Sequence, residues 1–333
     1  MIRVAINGVG RIGRATLKQL IDNPEFDLIA VNDLIPVDNL RYLIQHDTVY
    51  GRFNQTVKTE KDGLRIGETF IQYLSEKDPA NLPWRDMEID IVFECTGLFT
   101  KKEDCQKHLE AGAKRVILSA PAKSEGIPTV VPGANQADPE SKIISCASCT
   151  TNCITPIVEI LGRRIGIKKA IMTTVHAYTS TQNIVDGPSK KIRRGRAGAQ
   201  NFVPTSTGAA VATTKALPEY KGKFNGVAVR GPLPIGSIAD LVFVMEKETS
   251  VDEVNSIFKE EADSERYKGI VGVTEEPYVS SDIIKDDRAT VIDLEMTQIV
   301  DGDLLKIMSW YDNEWGYVAQ MLREAVILNK EDI

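Results

Sequence analysis

Cys149 and Cys153 stand one helical turn apart in Ser148-Cys149-Thr150-Thr151-Asn152-Cys153, with Cys146 three residues upstream. Five cysteines in 333 residues is an odd, sparse set that argues for reduced thiols rather than a disulfide framework. The apolar segment from Ile154 to Ile165 reads as a helix with Pro156 in its first turns, which puts Cys149 near a helix N-terminus. Local N–H groups, the helix dipole and a neighbouring imidazolium all lower a thiol pKa, and a thiolate is a nucleophile at neutral pH. Three histidines are available, His46, His108 and His176. His108 falls in the charged helical stretch from Lys101 to Ala111 and is expected at the surface. His176 ends the strand-like run Ile171 to Val175 and opens the polar stretch to Thr181, where a ligand-facing base belongs. Cys149 is thus the candidate nucleophile and His176 the candidate base, with an ordinary structural histidine as the other reading of His176. Cys146, Cys149 and Cys153 also form C-x2-C-x3-C, which His176 would complete as a zinc site. The second paired-cysteine knuckle of a zinc ribbon is missing, so no metal is expected.

A second constellation lies at the start of the chain. The apolar run Arg3 to Asn7 leads into Gly8-Val9-Gly10-Arg11-Ile12-Gly13 and a breaker-free helical stretch to Leu20. The next apolar run, Leu28 to Val31, ends at Asn32-Asp33, and Asp33 follows Gly13 by 20 residues. Gly8 permits the tight turn, Gly10 lets the backbone approach a pyrophosphate, and Gly13 lets helix and strand pack closely. The helix N-terminus offers N–H groups to phosphates. Asp33 would accept from both ribose hydroxyls and repel a 2′-phosphate, which favours NAD over NADP. Further runs at Ile89 to Phe93, Val116 to Leu118 and Ile143-Ile144 alternate with helical sequence, as in a doubly wound sheet. The turns Thr96-Gly97 and Ser119-Ala120 would lie at the ligand-binding ends of its strands.

Hydroxyls at Ser148, Thr150, Thr179 and Thr205-Ser206-Thr207-Gly208 suit phosphate oxygens, with ordinary N-capping as the other reading. Lys190-Lys191-Ile192-Arg193-Arg194-Gly195-Arg196 carries five cations in seven residues and would attract phosphates, nucleic acid or an acidic partner surface. The net charge of −7 disfavours general nucleic-acid binding, and no specific nucleic-acid partner is expected. At 42% hydrophobic and 26% charged residues the chain is an ordinary globular one, long enough for about two domains. Its longest apolar run, Leu241 to Met245, is far short of the ~20 residues of a membrane helix. The N-terminus enters a strand at once instead of a signal peptide, and a cytoplasmic protein without a membrane partner is expected.

Four separated motifs, the glycine fingerprint, Ser148 to Cys153, His176-Ala177-Tyr178-Thr179 and Ser309-Trp310-Tyr311-Asp312-Asn313-Glu314-Trp315-Gly316-Tyr317, carry a resemblance. Essentially end to end, the sequence resembles the phosphorylating glyceraldehyde-3-phosphate dehydrogenases. The resemblance implies an α/β chain: an N-terminal Rossmann NAD-binding domain, residues 1–148 with 313–333, plus an α+β catalytic domain with an antiparallel sheet, residues 149–312. It also implies attack of Cys149 on glyceraldehyde 3-phosphate to give a thiohemiacetal, proton transfer to His176 as hydride leaves for NAD, and release of the thioester by inorganic phosphate as 1,3-bisphosphoglycerate. By the same likeness, Thr179, Thr181 and Arg230 hold the substrate phosphate. Ser148, Thr150, Arg194, Thr207 and Gly208 hold the attacking one. Arg11, Ile12, Asp33, Lys77, Ser119 and Asn313 match the family's NAD contacts beside Gly8, Gly10 and Gly13. Leu34 and Pro188 match NAD-preferring members. A homotetramer with the loop from Asn183 to Val203 at its contacts is the family's usual assembly. The close alternative is an erythrose-4-phosphate dehydrogenase, which commonly lacks the His-Ala-Tyr-Thr run. A secondary nucleic-acid or partner-binding role through the basic loop is another.

Two departures stand out. Cys146 occupies a position usually held by Asn. Arg230-Gly231-Pro232-Leu233-Pro234-Ile235-Gly236-Ser237 replaces Arg-Val-Pro-Thr-Pro-Asn-Val-Ser, and its two added glycines are expected to loosen the segment beside Arg230.

Overall fold

The computed structural model describes residues 1–330, whose contacts divide into two compact units. The first unit comprises Met1–Val130, Ala137–Ala147 and the C-terminal stretch from Met321. The expected cofactor-domain span 313–333 ends in residues 331–333, which lie outside the described residues.

In the first unit, strands β1 (Ile2–Asn7), β2 (Phe26–Asn32), β3 (Val57–Glu60), β4 (Gly63–Ile66), β5 (Thr69–Leu74), β6 (Ile91–Glu94), β7 (Arg115–Leu118) and β8 (Ile143–Ser145) form one sheet. Helices α1 (Arg11–Ile21), α2 (Val37–Gln45) and α3 (Lys102–Glu110) connect them. The order is β3-β4-β5-β2-β1-β6-β7-β8, parallel from β5 to β8 with β3 and β4 antiparallel at one edge. Strands β6, β7 and β8 are buried at every position, because helices on both faces of a parallel sheet leave no solvent side. The chain leaves β1 toward β2 and later returns to β6 on its other side. The carboxyl end of β1 is therefore a topological switch point, where open α/β sheets bind ligands. α1 fits close to β1 because Gly13 has no Cβ, which would strike the Gly8 carbonyl oxygen.

His108 departs from its expected exposure. It is fully buried: its Nε2 lies 3.1 Å from Glu94 Oε2, and its Nδ1 accepts from Trp84 Nε1 at 3.0 Å. The charged residues of α3 face outward, whereas Cys105 and His108, three residues apart, share the inner side of the helix.

The second unit comprises Val131–Gln136 and Ser148–Gln320. Its elements are α4 (Cys149–Arg164), β9 (Ile167–Ala177), β10 (Val203–Ser206), α5 (Ala209–Ala216), β11 (Phe224–Gly231), β12 (Ser237–Met245), α6 (Val251–Asp263), β13 (Val271–Thr274), β14 (Thr290–Val300), β15 (Leu304–Tyr311) and the beginning of α7 (Trp315–Lys330). The sheet runs β10-β11-β9-β12-β15-β14-β13. Its pairings are antiparallel except β11 with β9 and β14 with β13, which are parallel. α4 continues through Pro156 and begins five residues earlier than its apolar run suggests. Its Ile154, Ile157, Val158 and Leu161 join Leu241, Phe243 and Phe258 in the core, each large side chain contributing ~1.5–3 kcal/mol. The sheet's other face keeps apolar side chains in the open, with Ile171 61% and Val227 52% exposed. Among the described residues, no helix is long and apolar enough to cross a membrane.

Candidate active site

At the switch point of the first unit lies a cavity of about 740 Å³. Gly8, Gly10, Asp33, Lys77 and Leu34 from the sequence expectations line it, with Asn7, Asn32, Thr96, Leu98 and Phe99. Gly8 has φ +89°, and a Cβ there would lie 2.7 Å from the Thr96 backbone, so the turn tolerates no side chain. A Cβ on Gly10 would meet nothing within 4 Å, which is the open approach a pyrophosphate needs. α1 has no side-chain cap, leaving its first N–H groups for an anion. Asp33 Oδ2 accepts from Val9 N at 2.6 Å and Oδ1 from Leu34 N at 2.7 Å. Oδ1 also accepts from Ile35 N at 3.2 Å, while Oδ2 keeps acceptor capacity for a ribose hydroxyl, so the residues present fit a dinucleotide. Arg11, Ile12 and Ser119 do not line this cavity. Arg11 instead pairs with Asp47 at 2.9 Å and lies over the Tyr50 ring.

The candidate nucleophile's position follows from local backbone. Two residues before Cys149, Ala147 is fully buried at φ +54°, a left-handed turn that costs an L-residue ~1–2 kcal/mol. Ser148 then caps α4, its Oγ accepting from Thr151 N at 3.2 Å, and Cys149 is the first helical residue. Cys149 Sγ lies 3.3 Å from His176 Nε2. His176 comes from the end of β9, and the parallel β9–β11 register sets Arg230 directly beside it. His176 Nδ1 lies 2.7 Å from the Ala177 carbonyl oxygen and 2.5 Å from Arg230 Nη1, which itself reaches the Ala177 oxygen at 3.0 Å.

Burial works against the expected thiolate held by an imidazolium. Burial pushes the Cys149 thiol up, against the opposing pull of the Arg230 charge and the Thr150 N–H. Burial, with the charges of Arg230 and Arg194, pushes His176 down to about 3. Burial thus opposes charge on both partners. Cys153, one turn on, is fully buried with Sγ 3.3 Å from Thr290 Oγ1, and burial pushes its thiol up to about 12. Cys146 is likewise buried and pushed up. Among the described residues, no three His, Cys, Asp or Glu side chains converge as metal ligands.

The hydroxyls separate into two groups. Thr179 Oγ1 lies 2.9 Å from Thr181 Oγ1, and Arg194 reaches Thr181 Oγ1 at 3.3 Å and Thr205 Oγ1 at 3.0 Å. Lys191 Nζ donates to Ser206 Oγ at 2.8 Å, placing a second cation there. Gly208 ends this strand of polar residues at the N-terminus of α5, with open space where a Cβ would stand. Thr207 Oγ1 accepts from Ala209 N. Thr150 is more enclosed: its Oγ1 meets Tyr311 Oη at 2.9 Å, and Tyr311 also reaches Thr174 Oγ1 at 2.8 Å. Sequence reasoning missed Tyr311 as a support, although it sits inside a quoted motif. It also missed Ser237, whose Oγ accepts from Ala177 N and donates to Asn313 Oδ1 at 2.9 Å, tying Asn313 to the strand that carries His176.

A doubly wound nucleotide-binding unit and a second unit bearing a thiol–imidazole pair define an NAD-dependent dehydrogenase. Residues 2–102 match the family model described as glyceraldehyde 3-phosphate dehydrogenase, NAD binding domain, and residues 148–313 match the C-terminal domain of the same family. The chain is 46% identical over 334 residues to a glyceraldehyde-3-phosphate dehydrogenase of Streptomyces coelicolor, covering 99% of each. It is 48% identical over 319 residues to that of Geobacillus stearothermophilus, with 95% of each covered, and 47% identical over 326 residues to that of Chlamydia pneumoniae, covering 96% and 97%. The chain belongs to the glyceraldehyde-3-phosphate dehydrogenase family, and NAD is its cofactor.

Proposed function

We propose that this protein oxidises D-glyceraldehyde 3-phosphate with NAD and captures the acyl group on inorganic phosphate as 1,3-bisphosphoglycerate, a cytoplasmic step of sugar breakdown or resynthesis. The observation that carries the reading is the 3.3 Å approach of Cys149 Sγ to His176 Nε2 at the start of α4. Residues 1–148 with 313–333 serve the cofactor, and 149–312 carry the chemistry. Gly8, Gly10, Gly13, Arg11, Ile12, Asp33, Lys77, Ser119 and Asn313 form the cofactor set. Bound NAD supplies a hydride acceptor.

His176 Nε2 takes the thiol proton as Cys149 attacks the aldehyde carbon, while the ring's other nitrogen holds its proton against the Ala177 carbonyl. The resulting thiohemiacetal oxygen lies near the α4 N-terminus, whose N–H groups stabilise developing negative charge. His176 returns the thiol proton to that oxygen, then removes it again as hydride departs, and the carbon becomes a Cys149 thioester. Phosphate attacks that thioester, and Cys149 leaves as thiolate and recovers its proton from the His176 imidazolium. Thr179, Thr181 and Arg230 orient the substrate phosphate. Ser148, Thr150, Arg194, Thr207 and Gly208 orient the attacking one.

The assembly we propose is a homotetramer. Its support is the open sheet face and the loop between β9 and β10, where Ile184, Val185, Ile192 and Phe202 are each more than two-thirds exposed. The reaction is tested by following NADH with glyceraldehyde 3-phosphate, with and without phosphate, with NAD or NADP, and against erythrose 4-phosphate. Sustained, phosphate-dependent turnover that requires Cys149 is expected; turnover undiminished in Cys149→Ala would refute it. Light scattering reads the assembly.

A further inference from the structure

The last residues of three neighbouring strands stand side by side at the switch point: Asn32 of β2 pairs with Asn7 of β1, and Asn7 with Glu94 of β6. Their side chains bond along the same row. Asn32 Nδ2 donates to Asn7 Oδ1 at 2.7 Å, and Asn7 Nδ2 donates to Glu94 Oε2 at 2.6 Å. The row reaches the cavity lining at both ends. Asn32 holds the main chain of Glu76, donating to its carbonyl at 2.9 Å and accepting from its N–H at 2.8 Å, and Glu76 leads into Lys77 and Asp78. At the other end, Glu94 Oε1 accepts from Thr96 N at 2.8 Å and from Thr96 Oγ1, and Thr96 packs on the Gly8 turn.

Glu94 and His108 are wholly buried, and neither lines the cavity. Burying a carboxylate is costly unless donors saturate its oxygens. Here each oxygen takes two: Thr96 N and Oγ1 on Oε1, Asn7 Nδ2 and His108 Nε2 on Oε2. None of these four donors belongs to a lysine or arginine. The direction of the His108 bond is set from the far side of its ring. Trp84 Nε1 can only donate, and it donates to Nδ1 at 3.0 Å, so Nε2 carries the ring proton and gives it to Glu94 at 3.1 Å. Helix α3 thus supplies a donor of fixed orientation to the one side chain that ties Asn7 to Thr96.

We propose that Glu94 and His108 are positioning residues for the cofactor cavity: out of the ligand's reach, they hold Asn7, Asn32 and Thr96 in one arrangement and so preset the wall that receives the ADP-ribose half of NAD. Without the carboxylate, the Asn7 amide is free to exchange its donor and acceptor ends, Asn32 loses its partner, and the hold on Glu76 weakens. The ligand must then order these groups as it binds, and affinity falls. The inference rests on the proposed cofactor set around Gly8, Gly10 and Asp33.

The test is calorimetric titration of ADP-ribose into the full-length protein and into Glu94→Gln, His108→Leu and His108→Gln, each well below its denaturation midpoint, with kcat measured at saturating NAD. Glu94→Gln keeps the shape but turns an amide toward donors. His108→Leu keeps bulk without polar atoms, whereas His108→Gln restores one acceptor and one donor. Expected are a Kd for ADP-ribose raised about 10-fold or more in Glu94→Gln and His108→Leu, and recovery to within about 3-fold in His108→Gln. Turnover at saturating NAD should stay within about 2-fold throughout. Lowered midpoints with an unchanged Kd, or a His108→Gln Kd no better than that of His108→Leu, would reduce the pair to core packing and overturn the inference. Should Glu94→Gln not fold, the two His108 variants decide alone. Failure of the unaltered protein to bind ADP-ribose would overturn the cofactor placement itself, whereas binding that no variant weakens removes only the positioning role.

Discussion

Gly236 lies in the left-handed region at φ +82°, so close to Ser280 that any Cβ would strike the Ser280 carbonyl oxygen. This contact answers the expectation that both added glycines loosen the segment after Arg230. Gly236 is required by a turn and a close approach. Gly231, at the end of β11, has ordinary contact distances around a hypothetical Cβ, with Leu233 nearest at 3.4 Å. Gly236→Ala should therefore destabilise by about 2 kcal/mol or more, and Gly231→Ala should be neutral or stabilise by about 0.4–1 kcal/mol. Denaturant midpoints of the two variants check the contrast, and equal losses would show that the segment responds to side-chain volume alone.

His176→Asn should lower kcat by ~10²–10⁴-fold while leaving NAD binding near its original strength. Stopped-flow NADH formation and a separate cofactor titration measure the two effects. A comparable loss in cofactor affinity would mean that the substitution disturbs more than the base.

Acid should unfold the protein partly through the same ring. Unfolded histidine titrates near 6.5, whereas burial holds His176 down to about 3, so between these values the unfolded chain binds the additional proton. The stabilisation is fully present above about pH 6.5 and is lost as pH falls toward 3, on the order of 3 kcal/mol between pH 7 and pH 4. Denaturation midpoints of the protein and of His176→Asn across that range should converge on acidification. Parallel curves would assign the acid response to other groups.

Asp33→Asn should weaken NAD by about 10-fold, since a charged acceptor is replaced by a neutral one, and should narrow the preference over NADP. The kcat/KM ratio for the two cofactors reads this directly. An unchanged ratio would place the discrimination elsewhere in the cavity.

Tyr311→Phe removes the hydroxyl that joins Thr150 to Thr174 and leaves both threonines buried with a partner lost. A cost of about 1–3 kcal/mol is expected, seen in the denaturation midpoint. No loss would mean that the two threonine hydroxyls re-pair with each other or with water.

The sequence made the switch-point architecture readable because glycine turn, apolar runs and Asp33 all depend on near neighbours along the chain. Cys149 was readable for the same reason: its helix start is local. His108 was not, since its burial is decided by Trp84 and Glu94, brought together only when α3 packs on the sheet. The cost of charge at Cys149 and His176 was also hidden. Helix-terminus arguments supply one favourable influence on a thiol, whereas the opposing desolvation depends on the whole fold around it. Tyr311 and Ser237 lay in plain sight as residues, yet their partners at Thr150, Thr174, Ala177 and Asn313 are set by strand register rather than spacing.

The parallel register of β9 and β11 pairs Phe224 through Gly231 with Ala170 through Ala177 without interruption, and it is this ladder that sets Arg230 beside His176. Side chains alternate between faces along a strand, so a one-residue insertion within β11 would turn Arg230 to the opposite side of the sheet. Insertions and deletions that descendants of this chain tolerate should accordingly fall outside residues 224–231, however freely surface loops elsewhere change length.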